Sequence, residues 1–336
     1  MPEHLNILEL FSGIGGMHAA LKRSGASGEI KGAVDINPIA NSVYIHNYPN
    51  TKVFNKNIQS CDSKFIEKLQ VNTILMSPPC QPFTRVGNQR DVSDNRTDAL
   101  KYICSTLPKL TSIEFILMEN VKGFENSEAR NLYVKSLKES NFRYREFILS
   151  PSQFGIPNTR HRYFCIARKN DFNFEDILWE SLPNKKLPLC QPFSMKKILE
   201  PEDEIPKSLY LSEDLLQKRL MLLDIVNENS TNSICFTKAY THYAEGTGSV
   251  LSKLSKNEMS NIFNEINSID KNSPEYLELL KSLKLRYFMP QELLRIMCFP
   301  EEFQFPSITT QKQKYRLIGN SVNVFVVSEL INLLIS

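Results

Sequence analysis

The chain has 336 residues, of which 41% are hydrophobic and 23% charged, the ordinary balance of a globular protein. With 40 basic and 37 acidic residues its net charge is only +3, which excludes a nucleic-acid binder that works by bulk charge and leaves room for a local basic groove. No run approaches the ~20 consecutive apolar residues of a membrane span, the N-terminus lacks a signal-peptide pattern, and the seven cysteines are too scattered for a zinc knuckle or a disulfide framework.

In chain order, residues 5–11 read as a short buried strand that runs into Ser12-Gly-Ile-Gly-Gly16 and a helix. A second strand, 30–34, ends at Asp35; residues 38–48 read as a helix and 52–54 as a strand. The apolar run 72–76 ends in Ser77-Pro-Pro-Cys80, and a polar loop leads to a helix near 99–107. A strand at 114–118 ends at Glu119-Asn120, a helix spans 127–139, and strands at 144–149 and 162–167 flank the loop 151–160. This alternation predicts an α/β fold, a parallel sheet with helices on both faces, whose ligands sit at the carboxyl ends of the strands.

After Lys169 the texture changes. Residues 211–226 read as a helix capped by Ser212, Pro290 opens another through 297, and 322–335 is an apolar terminal helix. The expected division is a catalytic domain of residues 1–184 and 286–336 with an inserted domain of 185–285.

Four constellations carry chemistry. The glycines at 13, 15 and 16, with His18, leave a dinucleotide fingerprint incomplete; with Asp35 placed to accept ribose hydroxyls, a nucleoside without a pyrophosphate fits, although a plain tight turn reads equally well. Pro78 and Pro79 fix the backbone before Cys80, and Arg85, Arg90 and Arg96 in the following loop favour a thiolate, so Cys80 reads as a nucleophile. Glu119, behind an apolar strand, reads as a desolvated carboxyl able to donate a proton near neutrality; taken alone, it reads better as an acidic residue at a helix start. Arg160 and Arg162 alternate along a strand and are expected to share a face, suited to a phosphate or a base carbonyl; His161 is expected to be structural.

Together these residues resemble the cytosine-5 methyltransferases. The resemblance rests on Phe11-Ser-Gly-Ile-Gly15, Pro78-Pro-Cys80-Gln-Pro, Glu119-Asn-Val121, Arg160-x-Arg162 and Gly319-Asn-Ser-Val322. Cys235-Phe-Thr237 and Phe83-Thr84-Arg85 look like the branch that modifies tRNA-aspartate. The resemblance implies a Rossmann-like S-adenosylmethionine-dependent sheet with a small target-recognition domain. It implies Cys80 as nucleophile, Glu119 on ring nitrogen 3, and Arg160 and Arg162 on the carbonyl at carbon 2. For the cofactor it implies Phe11, Ser12, Gly13, Ile14, Gly15 and Gly16 along the methionine part and Asp35 under the ribose. Ile36 and Ile58 would pack the adenine, with Asn57 beside its amine and Ser77, Pro79, Asn320, Ser321 and Val322 closing the pocket. Asp35 replaces the family's common glutamate and Asn57 a common aspartate. Cys235 is expected to pack the small domain or contact substrate. The implied substrate is a cytosine in the anticodon loop of tRNA-Asp, with DNA as the alternative; no metal, no membrane, a monomer, and a cytoplasmic or nuclear location are expected.

Overall fold

In the computed structural model, the described residues are 4–79, 97–183, 185, 189–243 and 245–336. The first half alternates strand and helix: β1 (Leu5–Leu10), α1 (Gly16–Ser24), β2 (Gly28–Asp35), α2 (Pro38–Asn47), β3 (Val53–Asn55), α3 (Ser63–Lys68) and β4 (Thr73–Met76). Then come α4 (Asp98–Thr106), β5 (Phe115–Val121), α5 (Glu128–Glu139), β6 (Arg143–Leu149), β7 (Arg162–Arg168) and β8 (Leu178–Trp179). Local chemistry sets the boundaries. The Asn37 side chain caps α2 with Pro38 behind it, and the Asp62 and Ser127 side chains cap α3 and α5.

These strands form one sheet in the order β3-β2-β1-β4-β5-β7-β6-β8. Alternate side chains point to opposite faces, so Leu5 and Ile7 enter one apolar layer while Leu8 and Leu10 enter the other. α1 and α2 cover the first face; α3, α4 and α5 cover the second. The expected two-faced sheet is therefore present, with two corrections. β7 runs antiparallel to both β5 and β6, because the stretch between β6 and β7 holds no crossover helix, and neighbours joined that way pair antiparallel. β5 continues through Val121, so Glu119 lies inside a strand opposite Phe164 rather than past its end.

The second half holds α6 (Glu213–Arg219), β9 (Ile225–Val226), β10 (Val250–Leu251), α7 (Lys256–Ser268), α8 (Pro274–Ser282), α9 (Pro290–Ile296), α10 (Gln311–Asn320) and α11 (Val324–Ile335). The expected long helix at 211–226 keeps its Ser212 cap but stops at Arg219, since Ile225 and Val226 pair with β10 instead. Leu216, Val250, Ile266 and Leu280 form a separate small core, whereas Met195, Leu209, Phe236 and Tyr240 pack into the first layer of the main sheet. The Gln311–Ile335 segment has an apolar stretch long enough for a membrane span, but 56% of it is buried and α11 packs on α1; it is a core element.

Arg286 and Glu292, both buried, form a two-pronged ion pair at 2.7 and 2.8 Å, and the carboxylate also accepts from the backbone of Glu200 and Met289. Glu292→Ala would leave Arg286 buried without its counter-charge, with the Tyr287 carbonyl still accepting from it, and is expected to lower unfolding free energy by about 3–5 kcal/mol. Glu301→Ala, which removes an exposed carboxylate from Arg295, should cost less than about 1 kcal/mol. Urea denaturation followed by circular dichroism measures both.

Candidate active site

A cleft of about 650 Å³ opens along the rim where β1, β2, β4 and β5 end, within the ~300–1,000 Å³ of small-molecule pockets. Phe11, Ser12, Gly13, Ile14, Gly16, Asp35, Ile36, Asn57, Ile58, Ser77, Pro79, Asn320, Ser321 and Val322 all line it, together with Glu119, Arg160 and Arg162. Residues predicted from distant parts of the sequence thus converge on one cavity. Gly15 is the exception: it faces away, toward Tyr48, where an added Cβ would approach the ring to 2.6 Å.

The turn after β1 is shaped by backbone constraint. Phe11 takes φ 54 and Gly13 φ 53, a region that bulky residues rarely adopt. The Gly13 N–H donates to Asp35 Oδ2 at 2.9 Å, and the Asn37 N–H donates to Oδ1 at 2.8 Å. Asp35 therefore anchors the turn through both oxygens. Burial raises its carboxyl above the ordinary value, against the pull of those backbone amides. A Cβ on Gly13 meets nothing within 4 Å, whereas one on Gly16 would approach Val322 and Ser321 to 2.8 and 2.9 Å, so the 321–322 segment closes directly on α1. Ser12 Oγ is buried and has no partner among the described residues.

Ile36, 66% exposed, and Ile58, buried, both line the cleft and give that part of its wall an apolar character. The Asn57 carbonyl accepts from the Gln59 N–H at 3.1 Å and its amide donates to the Gln59 side chain. It caps a short turn in the cleft wall.

At the end of β4, the Ser77 N–H donates to Leu10 O, and Asn120 Nδ2 donates to Pro78 O at 3.5 Å. Asn120, buried beside Glu119, thus pins the proline turn. Cys80, with Arg85, Arg90 and Arg96, lies outside the described residues.

Glu119 is almost fully buried. Burial raises its carboxyl above the usual carboxylate range, and Arg162, then Arg160, oppose that shift without cancelling it. Arg162 Nε stands 3.4 Å from Glu119 Oε1. Arg160 departs from expectation. It precedes β7 rather than lying in it, and its terminal nitrogens meet backbone: Nη1 donates to Phe236 O at 2.9 Å, and Nη2 to Gly319 O and Ser321 O at 3.0 and 2.6 Å. It thus clamps three segments while lining the cleft, and its buried Nε has no partner among the described residues. Both arginines also reach Cys235 Sγ, at 3.3 Å from Arg160 Nη1 and 3.8 Å from Arg162 Nη2. His161 is exposed.

Four charged cleft residues were not anticipated: Glu9, Lys56, Lys238 and Arg316. Glu9, the one charged side chain in the apolar run 5–11, was the readable signal. Its carboxyl accepts from the Tyr44 hydroxyl at 2.7 Å, and burial pushes it up to about 8 against that hydrogen bond. Lys238 follows Cys235-Phe-Thr237, and Arg316 sits on α10, a helix not foreseen.

The profile of the C-5 cytosine-specific DNA methylase family matches residues 5–336. The chain belongs to this family. It is 50% identical over 332 residues to a tRNA (cytosine(38)-C(5))-methyltransferase of Spodoptera frugiperda, covering 98% of each chain. It is 38% identical to a DNA (cytosine-5)-methyltransferase of Dictyostelium discoideum, covering 99% of this chain and 95% of that one. A crystal structure of a Spodoptera frugiperda DNMT2 mutant superposes with a TM-score of 0.90 at 47% identity, covering 99% of this chain and all of that one. The protein is accordingly a cytosine-5 methyltransferase, and its fold is the methyltransferase fold of these relatives.

Glu9 generates a prediction about stability. Its folded value is raised, so between the ordinary glutamate value and about 8 the folded state holds a proton that the unfolded state has released. Stability should therefore be fully present below that window and fall as pH rises through it. Glu9→Gln should flatten this fall, as read by urea midpoints from pH 5 to 8.5.

Proposed function

We propose that the protein transfers a methyl group from S-adenosylmethionine to carbon 5 of a cytosine in the anticodon loop of tRNA-Asp, through a covalent Cys80–cytosine adduct. The observation that carries this reading is the buried Glu119 beside Arg162 at a cleft whose chain matches a tRNA-modifying relative end to end.

The cleft fits the cofactor. Gly13 leaves open space where any side chain would intrude, Ser12 Oγ is an unsatisfied buried hydroxyl for an amino-acid terminus, and Ile36 and Ile58 offer an apolar wall for a flat base. Asp35, at the end of β2, is placed beneath a ribose. When bound, S-adenosylmethionine supplies an electrophilic methyl on a sulfonium.

Carbon 5 of cytosine is a poor nucleophile. Addition of the Cys80 thiolate at carbon 6 interrupts the ring's conjugation and makes carbon 5 electron-rich. Glu119 donates its proton to ring nitrogen 3, which takes up the developing charge, and its raised carboxyl keeps that proton to a higher pH than an ordinary glutamate would. Arg162 holds Glu119 and faces the carbonyl at carbon 2. After methyl transfer, a base takes the carbon-5 proton and the Cys80 sulfur leaves. A base in an anticodon loop leaves its stack more easily than one in a duplex, which favours tRNA over DNA. Lys238 and Arg316 supply local positive charge at the cleft without a strongly basic chain. The enzyme acts as a monomer, in the cytoplasm or nucleus where tRNA is found.

Four measurements test this. With total tRNA and duplex DNA offered side by side, methyl incorporation should go mainly to tRNA and bisulfite sequencing should place it in the tRNA-Asp anticodon loop; equal incorporation into DNA would overturn the substrate. RNA carrying 5-fluorocytosine should trap a denaturant-resistant complex with the wild type and none with Cys80→Ala. Glu119→Gln should lower kcat by about 10²–10⁴-fold. The wild-type kcat should fall as pH rises through the raised value of Glu119, a limb absent from the Gln variant.

A further inference from the structure

The Cys235 sulfur meets both guanidiniums, Arg160 Nη1 at 3.3 Å and Arg162 Nη2 at 3.8 Å. It is therefore placed to act on the arginines. The two guanidiniums crowd one another. Arg160 is 3% exposed, and burial and its neighbour Arg162 both work against its charge. Its other acceptors are neutral carbonyls of Phe236, Gly319 and Ser321. Among the described residues, the acidic groups touching this pair are Glu119 and Cys235. Once Glu119 carries a proton, Cys235 is the remaining one.

Burial raises the thiols of Cys61, Cys104, Cys165 and Cys298. At Cys235 burial also acts upward, but the charges and hydrogen bonds of Arg160 and Arg162 outweigh it and hold the thiol below its ordinary value. A neutral thiol is a weak acceptor, and a sulfur that takes two guanidinium hydrogen bonds is best served as an anion.

We propose that Cys235 is a thiolate that serves as the fixed counter-charge of the Arg160–Arg162 pair and keeps Arg162 aimed at Glu119 while the Glu119 proton comes and goes. Cys235 is thus a positioning residue, and no bond forms on its sulfur. The arrangement explains why a cysteine stands at the contact between the inserted segment and the sheet: it is small enough to fit between two arginines and ionises there.

The experiment has two arms. Cys235→Ser keeps the size and hydrogen bonding but stays neutral; Cys235→Asp restores a negative charge at similar volume. Cys235→Ser is expected to lose about tenfold in kcat with little change in KM for S-adenosylmethionine, and Cys235→Asp to recover most of the loss. A Ser variant with wild-type kcat, or an Asp variant no better than Ser, overturns the proposal. This arm rests on the methyl transfer proposed above. The second arm needs no substrate: the ultraviolet difference spectrum of wild type minus Cys235→Ser at pH 7 should contain one thiolate band that disappears on acidification. A spectrum without that band overturns the proposal even if every kinetic result stands.

Discussion

The cleft depends on one buried guanidinium. Arg160 leaves the sheet just before β7 and grips a carbonyl of the inserted segment and two carbonyls at the junction of α10 and α11. A buried cation costs several kcal/mol unless its donors are met, so these three segments are held wherever Arg160 can be satisfied. Neighbouring polar groups reinforce the tie. Asn158 donates to Ser233 Oγ and Ile234 O, and the Thr159 N–H donates to Ser233 O. On the far side, an added Cβ at Gly319 would fall 2.3 Å from the backbone of Thr237 and Lys238. The fit between α10 and the Cys235-Phe-Thr segment leaves no space for a methyl group.

The reversed direction of β7 is the second device. Strands β1, β2, β4 and β5 all present their carboxyl ends to the rim. β7 runs the other way, so it presents its first residue there, with Arg162 paired to Val121. An arginine at a strand start and a glutamate near a strand end are thereby brought to one place. The acid and the cation that tunes it come from adjacent strands of opposite sense.

Much of this was legible in the sequence, and what was not has a physical reason. β4 and the first part of β5 are continuous apolar runs because both faces of the sheet are covered, and the ends of β1, β2 and β4 were marked by Gly13, Asp35 and Pro78. The caps at Ser212 and Pro290 were local and readable. α10 was missed because its Gln311-Lys-Gln-Lys start is exposed and only Tyr315, Leu317 and Ile318 are buried. The end of α6 was missed because Ile225 and Val226 answer to Val250 and Leu251, far along the chain. Arg160 was read as a cleft residue, without its clamping task. Its residue type and spacing are local, but its acceptors are carbonyls that no pattern of side chains announces.

The span of the Arg160 contacts also governs the order in which the enzyme is made. Its partners lie 76, 159 and 161 residues downstream, and α11 packs against α1 from the opposite end of the chain. Contacts of such separation are entropically slow to close. During synthesis the sheet from β1 to β7 can collapse as soon as it emerges, but two of the three carbonyls that the clamp grips come only with the last two helices. The nascent chain therefore passes through a long interval with Arg160 only partly satisfied and the first layer uncovered beneath α11, the stage at which it is most open to aggregation and to chaperones.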